Sequence, residues 1–134
     1  MRTDKDLSGL ESSVVHRPTH TIIRLRGEID VATAPGLHER LLTLLRRGMG
    51  LIILDLSEVS FCDASGLGVL VSGHLHAKVL GVTLRLTAPR PRMARLLHLH
   101  GLDRTLEIYP ASPGGLTRGG FRTGPPWPRV RDCQ

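Results

Sequence analysis

Apolar residues recur along this chain with two distinct periods, and the changes of period mark out its elements. The run Leu51–Leu56 is apolar at every place except Asp55, the pattern of a strand buried on both faces. From Gly66 the apolar positions fall at helical spacing through Leu75 and Val79, and Gly81 closes the pattern. Between strand and helix stand Asp63, Ala64, Ser65 and Gly66. Asp63 is a good N-cap, because a carboxylate there accepts from the free N–H groups of the first turn. The pattern therefore predicts a polar knuckle, with a hydroxyl on the first turn of the helix.

The rest of the chain alternates in the same way. Val14–Arg17 reads as a short edge strand, with a turn at Pro18-Thr19-His20. Thr21–Arg26 follows as a half-buried strand, Ile23 and Leu25 on one face and Arg24 and Arg26 on the other. Gly27-Glu28-Ile29-Asp30 is expected to turn the chain into a first helix capped by Thr33. In that helix Pro35 lies in the first turn, Leu37, Leu41, Leu44 and Leu45 form one stripe, and Gly48 ends it. The central helix, about Ser65–Leu80, contains Gly68 and Gly73, each costing about 1 kcal/mol relative to alanine. Close packing on the sheet is the expected compensation for both. Val82–Thr87 alternates as another strand, a third helix begins after Pro89 and Pro91 and ends by Gly101, and Leu106–Tyr109 is a last short strand. The order strand, strand, helix, strand, helix, strand, helix predicts an α/β fold, a mixed β-sheet of about four or five strands with helices packed against it.

Composition narrows the function. The 134 residues suit one domain, expected at 13–112, between a flexible N-terminus at 1–12 and a disordered Gly/Pro/Arg-rich tail at 113–134. The net charge is +6, but Arg118, Arg122, Arg129 and Arg131 against Asp132 place half of that excess in the tail. The body is therefore mildly basic, and four aromatic residues offer no stacking platform, so stable nucleic-acid binding is not expected. No apolar run reaches about 18 residues and no leader precedes the first strand, so a cytoplasmic protein without membrane association is expected.

Several chemistries fail on spacing. Gly66-Leu67-Gly68 lacks the third glycine of a dinucleotide loop, and Asp63 and Leu67 stand where a nucleophile elbow needs glycines. His74 and His76, like His98 and His100, are two apart on helices and point to different faces, so no metal is expected. No pair of carboxylates suggests general acid–base work, and no cofactor or enzymatic activity is expected. Cys62, beside a helix start, is a redox candidate set against the plainer reading of a small buried hydrophobe. Ser65 is a candidate phospho-acceptor, since a helix N-terminus stabilises added negative charge; the plainer reading is that it helps cap the helix.

At these residues the chain resembles the STAS-domain anti-sigma factor antagonists of bacteria. The likeness spans roughly 13–112 and rests on Gly27-Glu28-Ile29-Asp30, Leu54-Asp55-Leu56-Ser57, Phe61-Cys62-Asp63-Ala64-Ser65-Gly66-Leu67-Gly68, Pro91 and Gly101-Leu102. The resemblance implies partner switching. The antagonist binds an anti-sigma factor, usually a serine kinase with an ATP-binding fold, and so frees the sigma factor and regulates transcription; phosphorylation ends the binding. Expected partner-binding residues are Asp63, Ser65 and Gly66, with Glu28 and Asp30 nearby, in a monomer or weak dimer. In the phosphorylated members the acceptor directly follows the aspartate, and here that place is Ala64. Two other classes use the same residues: a STAS module sensing a small ligand or redox state through Cys62, and a basic nucleic-acid-associated protein.

Overall fold

The doubly apolar run becomes the longest strand of the sheet. The computed structural model describes residues 2–5, 9–47 and 50–110, so the expected tail at 113–134 and the helix stop at Gly48 lie outside the described residues. In chain order the elements are β1 (Arg2–Lys5), β2 (Leu10–His16), β3 (Thr21–Ile29), α1 (Ala34–Arg46), β4 (Leu51–Cys62), α2 (Ala64–Leu80), β5 (Thr83–Thr87), α3 (Pro91–Leu99), a short 3-10 turn at Leu102–Arg104, and β6 (Glu107–Tyr109). The sheet order is β1-β2-β3-β4-β5-β6. β1, β2 and β3 pair antiparallel, while β3, β4, β5 and β6 run parallel. The expected mixed sheet is β2–β6, and β1 adds a strand at its edge.

Burial explains the order. Ile52, Ile53, Leu54 and Leu56 of β4 are fully buried, as a strand covered on both faces must be. Asp55 is the polar member of that run, and its carboxylate accepts from the Ser57 amide at 2.9 Å and lies 3.6 Å from the Arg24 guanidinium. Those partners offset the desolvation of a buried charge. The α1 stripe Leu37, Leu41, Leu44 and Leu45 is buried as its spacing requires. α2 lies against both α1 and β5. A Cβ on Gly73 would stand 3.1 Å from Leu41 and 3.3 Å from Leu84, so that glycine does permit close packing. Gly68 does not, because a Cβ there meets nothing within 4 Å. Gly81 takes the left-handed conformation that ends the helix, at φ 76°.

Three local expectations are corrected. Residues 2–5 and 10–12, expected as part of a loose end, belong to β1 and β2. The period-two signal was interrupted by Ser12, which takes a buried place between Leu10 and Val14, and whose hydroxyl has no partner among the described residues. The Gly27–Ile29 segment continues β3 rather than turning. Gly27, at φ 119°, forms an irregularity in the β3–β4 register, and a Cβ there would overlap the Gly9 carbonyl oxygen, which accepts from the Glu28 amide at 2.8 Å. The cap of α1 comes from Asp30 rather than Thr33. The Asp30 carboxylate accepts from the amides of Ala32 and Thr33 at 3.0 and 3.1 Å, while the Thr33 hydroxyl donates to the Glu28 carbonyl at 2.8 Å. Among the described residues no helix is long and apolar enough to cross a membrane.

Candidate partner-binding site

Four parallel strands put their carboxyl ends on one edge of the sheet, where an open α/β sheet presents its loops. The β3–α1 turn and the β4–α2 knuckle meet there. β4 reaches Cys62 opposite Ile29, and Phe61 stands opposite Glu28. The Asp63 amide then donates to the Ile29 carbonyl at 3.1 Å, tying the two loops together. The Asp63 carboxylate turns the other way and accepts from the Gly66 amide at 3.1 Å, the expected N-cap. The structure thus brings together every partner-binding residue expected from the sequence: Asp63, Ser65, Gly66, Glu28 and Asp30.

Their surroundings differ. Ala64, the first residue of α2, is exposed, whereas Ser65 and Asp63 are half-buried. Glu28 is exposed and available to a partner. Asp30 spends one carboxylate oxygen, Oδ1, on the α1 turn, where the Thr33 hydroxyl also reaches it at 3.3 Å. Gly66 is buried rather than on the surface, and it lets α2 approach β3 and β4 closely. A Cβ there would stand 2.6 Å from the Cys62 sulfur, 2.8 Å from Ile29 Cγ2 and 2.9 Å from the Ile29 carbonyl oxygen. Its role is to let the knuckle sit tightly on β3, and that rigidity is what it gives the surface.

Cys62 is a packing group. It is 5% exposed, its Sγ lies 3.7 Å from the Asp63 carbonyl oxygen, and burial, reinforced by the Asp63 carboxylate, pushes the thiol up to about 12. A thiol held protonated at neutral pH is a poor nucleophile and a poor redox sensor, whatever the helix dipole contributes. Burial therefore favours the plainer reading of Cys62 as a small buried hydrophobe over the redox candidacy. Two of the four histidines weighed as metal ligands are engaged separately. The His76 ring is 2.9 Å from the Ser72 carbonyl, and the His98 ring is 2.7 Å from the Asp103 carboxylate. Burial first, and then Lys78, lowers the affinity of His74 for a proton, against a smaller opposing effect of Glu107. Among the described residues no group of three or more His, Cys, Asp or Glu side chains is placed to hold a metal ion.

Two exposed apolar residues were not among the expected site residues. Phe61 is 44% exposed and Val31 73% exposed, the first at the end of β4, the second in the turn before α1. A large apolar side chain inside a polar turn, as Val31 is in Asp30-Val31-Ala32-Thr33, was the available signal. Both flank the carboxyl edge, which is therefore apolar as well as charged. Such a surface suits protein contact better than small-molecule chemistry.

Comparison with known proteins finds relatives over most of the chain. The model of the STAS domain matches residues 11–113. The chain is 38% identical over 94 residues to the anti-sigma-B factor antagonist of Bacillus subtilis (strain 168), covering 70% of this chain and 85% of that protein. It is 33% identical over 104 residues to the anti-sigma-F factor antagonist RsfB of Mycobacterium tuberculosis, covering 74% of this chain and 82% of that one. Among solved structures, an anti-sigma factor antagonist from Mycobacterium paratuberculosis superposes with a TM-score of 0.72 at 28% identity, covering 81% of this chain and 92% of that one.

Proposed function

Because this chain belongs to the STAS domain family, we propose that it acts as an anti-sigma factor antagonist, binding an anti-sigma factor and so releasing a sigma factor for transcription. The observation that carries this reading is the tied pair of loops at the carboxyl edge. The Asp63–Ile29 backbone bond and the Asp63 cap fix Asp63, Ala64, Ser65 and Glu28 as one surface, with Phe61 beside it. That surface offers charge, a free helix turn and apolar area, and no constellation for bond-making. The protein acts by binding rather than by catalysis. Its partner is the serine-kinase type of anti-sigma factor, with an ATP-binding fold, that the family resemblance implies. Addition of this protein to a reconstituted complex of such an anti-sigma factor with its sigma factor should release the sigma factor. Persistence of that complex under excess of this protein would overturn the reading.

Regulation follows from the first turn of α2. Ala64 occupies the exposed first position, where the family's acceptor serine stands, and Ser65 is half-buried at the second. Side chains one residue apart on a helix differ by about 100° in direction. A kinase that presents its phosphate to the first position meets Ser65 from the wrong side. The wild-type protein should therefore be a poor substrate, and an antagonist that its kinase partner does not switch off. Ala64→Ser should create an efficient acceptor, while Ser65→Ala leaves the weak wild-type labelling unchanged. Incubation of the three proteins with the kinase and labelled ATP, with the site mapped by mass spectrometry, checks this. Efficient labelling of wild type at Ser65 would make that residue the switch instead.

The nucleic-acid reading finds less support in the body of the domain. Arg24, Arg26 and Arg85 face Asp55, Glu58 and Glu107 at 3.6, 3.8 and 3.3 Å, so these cations are committed to cross-strand pairs rather than to phosphates.

A further inference from the structure

β4 is longer than the neighbour that covers it. β5 pairs with β4 from Leu51 to Asp55, whereas β4 continues to Cys62. After Thr87 the chain turns away through Ala88, at φ 54°, and enters α3 at Pro91. The uncovered end of β4 and the first turns of α3 enclose a groove of about 320 Å³, within the lower range of ligand-binding clefts. Val59, Phe61, Met93 and Leu96 give it an apolar lining, and Arg90 and Arg92 stand at its rim. Arg90 Nε donates to the Ser57 carbonyl at 2.9 Å, which holds one wall in place.

Among the described residues the charge of Arg92, which lines the groove, and of Arg95, next in sequence to the lining Leu96, is uncompensated. Arg90, Arg92 and Arg95 are exposed, and α3 has no acidic residue in its first turn. Among the described residues neither Arg92 nor Arg95 has a carboxylate within ion-pair distance. The positive end of the α3 dipole adds to the same potential. Arg90 and Arg92 at the start of α3 oppose its dipole, and Arg95 follows one turn on from Arg92 just before the lining residue Leu96, an arrangement that costs stability unless an external anion answers it. The basic tail of this chain has the wrong sign to do so.

We propose that this groove receives an acidic segment of a protein partner, an apolar side chain of that segment seated against Phe61 and Leu96 and its carboxylates facing Arg92 and Arg95. The groove begins at Cys62, next to Asp63, so one partner can hold both surfaces. Assigning the segment to the anti-sigma factor rests on the functional reading above, whereas the chemistry of the groove does not. In that assignment the knuckle carries the common contact of partner switching, and the groove selects one anti-sigma factor from others by the charge of its segment.

A fluorescein-labelled peptide alternating Asp or Glu with Leu and Phe, and a matched peptide with Lys at every acidic place, test the groove on the full chain by fluorescence polarisation. The acidic peptide should bind and the lysine peptide should not. Binding should weaken at least about tenfold between about 0.05 M and about 0.5 M salt, as expected for exposed charges. The double variant R92E/R95E should weaken it at least about tenfold, a change read directly in Kd, and Phe61→Ser should weaken it several-fold. Asp63→Asn, which alters the knuckle and keeps the cap, should leave peptide binding unchanged, so the groove and the knuckle are read separately. Equal binding of both peptides, indifference to R92E/R95E, or displacement of the peptide by an oligothymidylate that binds more tightly would each overturn the proposal. Unchanged affinity of R92E/R95E for the anti-sigma factor itself, with the peptide effects intact, would overturn the assignment to that partner and leave the antagonist function standing.

Discussion

Gly66→Ala should unfold this protein at a temperature roughly 5–15 °C below wild type, although alanine is the better helix former by about 1 kcal/mol. The reason is the contact of α2 with β3 and β4. The added Cβ would fall 2.6 Å from the Cys62 sulfur and 2.9 Å from the Ile29 carbonyl oxygen. That carbonyl cannot retreat freely, because it accepts the Asp63 amide at 3.1 Å. Either α2 moves outward or the bond tying the two loops breaks. Overpacking of this kind costs about 1–3 kcal/mol, beyond the propensity gain. Gly68→Ala supplies the opposite case two residues along the same helix. A Cβ there meets nothing within 4 Å, so the substitution should stabilise by up to about 1 kcal/mol and raise Tm by several degrees. Thermal unfolding followed by circular dichroism gives both signs in one experiment. A rise in Tm for both variants would show that α2 is not pinned at its N-terminus, and the rigid knuckle would lose its basis.

The contrast between these two glycines also marks what a sequence can show by itself. Both stand in an apolar run at helical spacing, and nothing local separates them; the difference is made by Ile29 and Cys62, which precede the helix. Features that depend on neighbours along the chain were legible. The Leu37–Leu45 stripe of α1, the Asp63 cap and the Gly81 stop all came from residues within two turns of one another. Features set by distant chain were not. Gly27 reads as a turn because glycine is common in turns, yet Gly9, in the turn just before β2, packs against it as an irregularity inside β3. β2 begins earlier than its apolar residues suggest, since Ser12 is buried without the hydrophobicity that announces burial. At the site, the sequence placed Asp63, Ser65 and Glu28 together through family resemblance and the structure gives the physical link. It could not show that Asp30 turns inward to cap α1, nor that β5 stops short of Ser57 and opens a groove. Those facts depend on strand lengths and on which of several polar groups wins one amide.

The chemistry of Cys62 shows how two correct local principles can oppose each other. A helix N-terminus favours a thiolate and burial disfavours it. Here burial dominates, since the sulfur is enclosed by α2 and by Ile29, and the Asp63 carboxylate acts in the same direction. Between about pH 9 and pH 12 the native protein keeps a proton that the unfolded chain loses, so Cys62 contributes to a fall in stability as pH rises through that window.

In the proposed function the knuckle is the surface on which an anti-sigma factor is bound, and charge at Asp63 gives the most direct access to it. Asp63→Lys replaces an anion at the helix N-terminus with a cation, costing about 1 kcal/mol in the cap and adding an unfavourable dipole interaction of about 0.3–1 kcal/mol. Asp63→Asn separates the two roles, since asparagine caps as well as aspartate but carries no charge. Isothermal titration of a kinase-type anti-sigma factor with wild type and both variants, each verified as folded by circular dichroism, is the measurement. Binding should weaken at least about tenfold for Asp63→Lys, about 1.4 kcal/mol, with Asp63→Asn between it and wild type. Wild-type affinity in both folded variants would contradict the account and move the interface away from the carboxyl edge of the sheet.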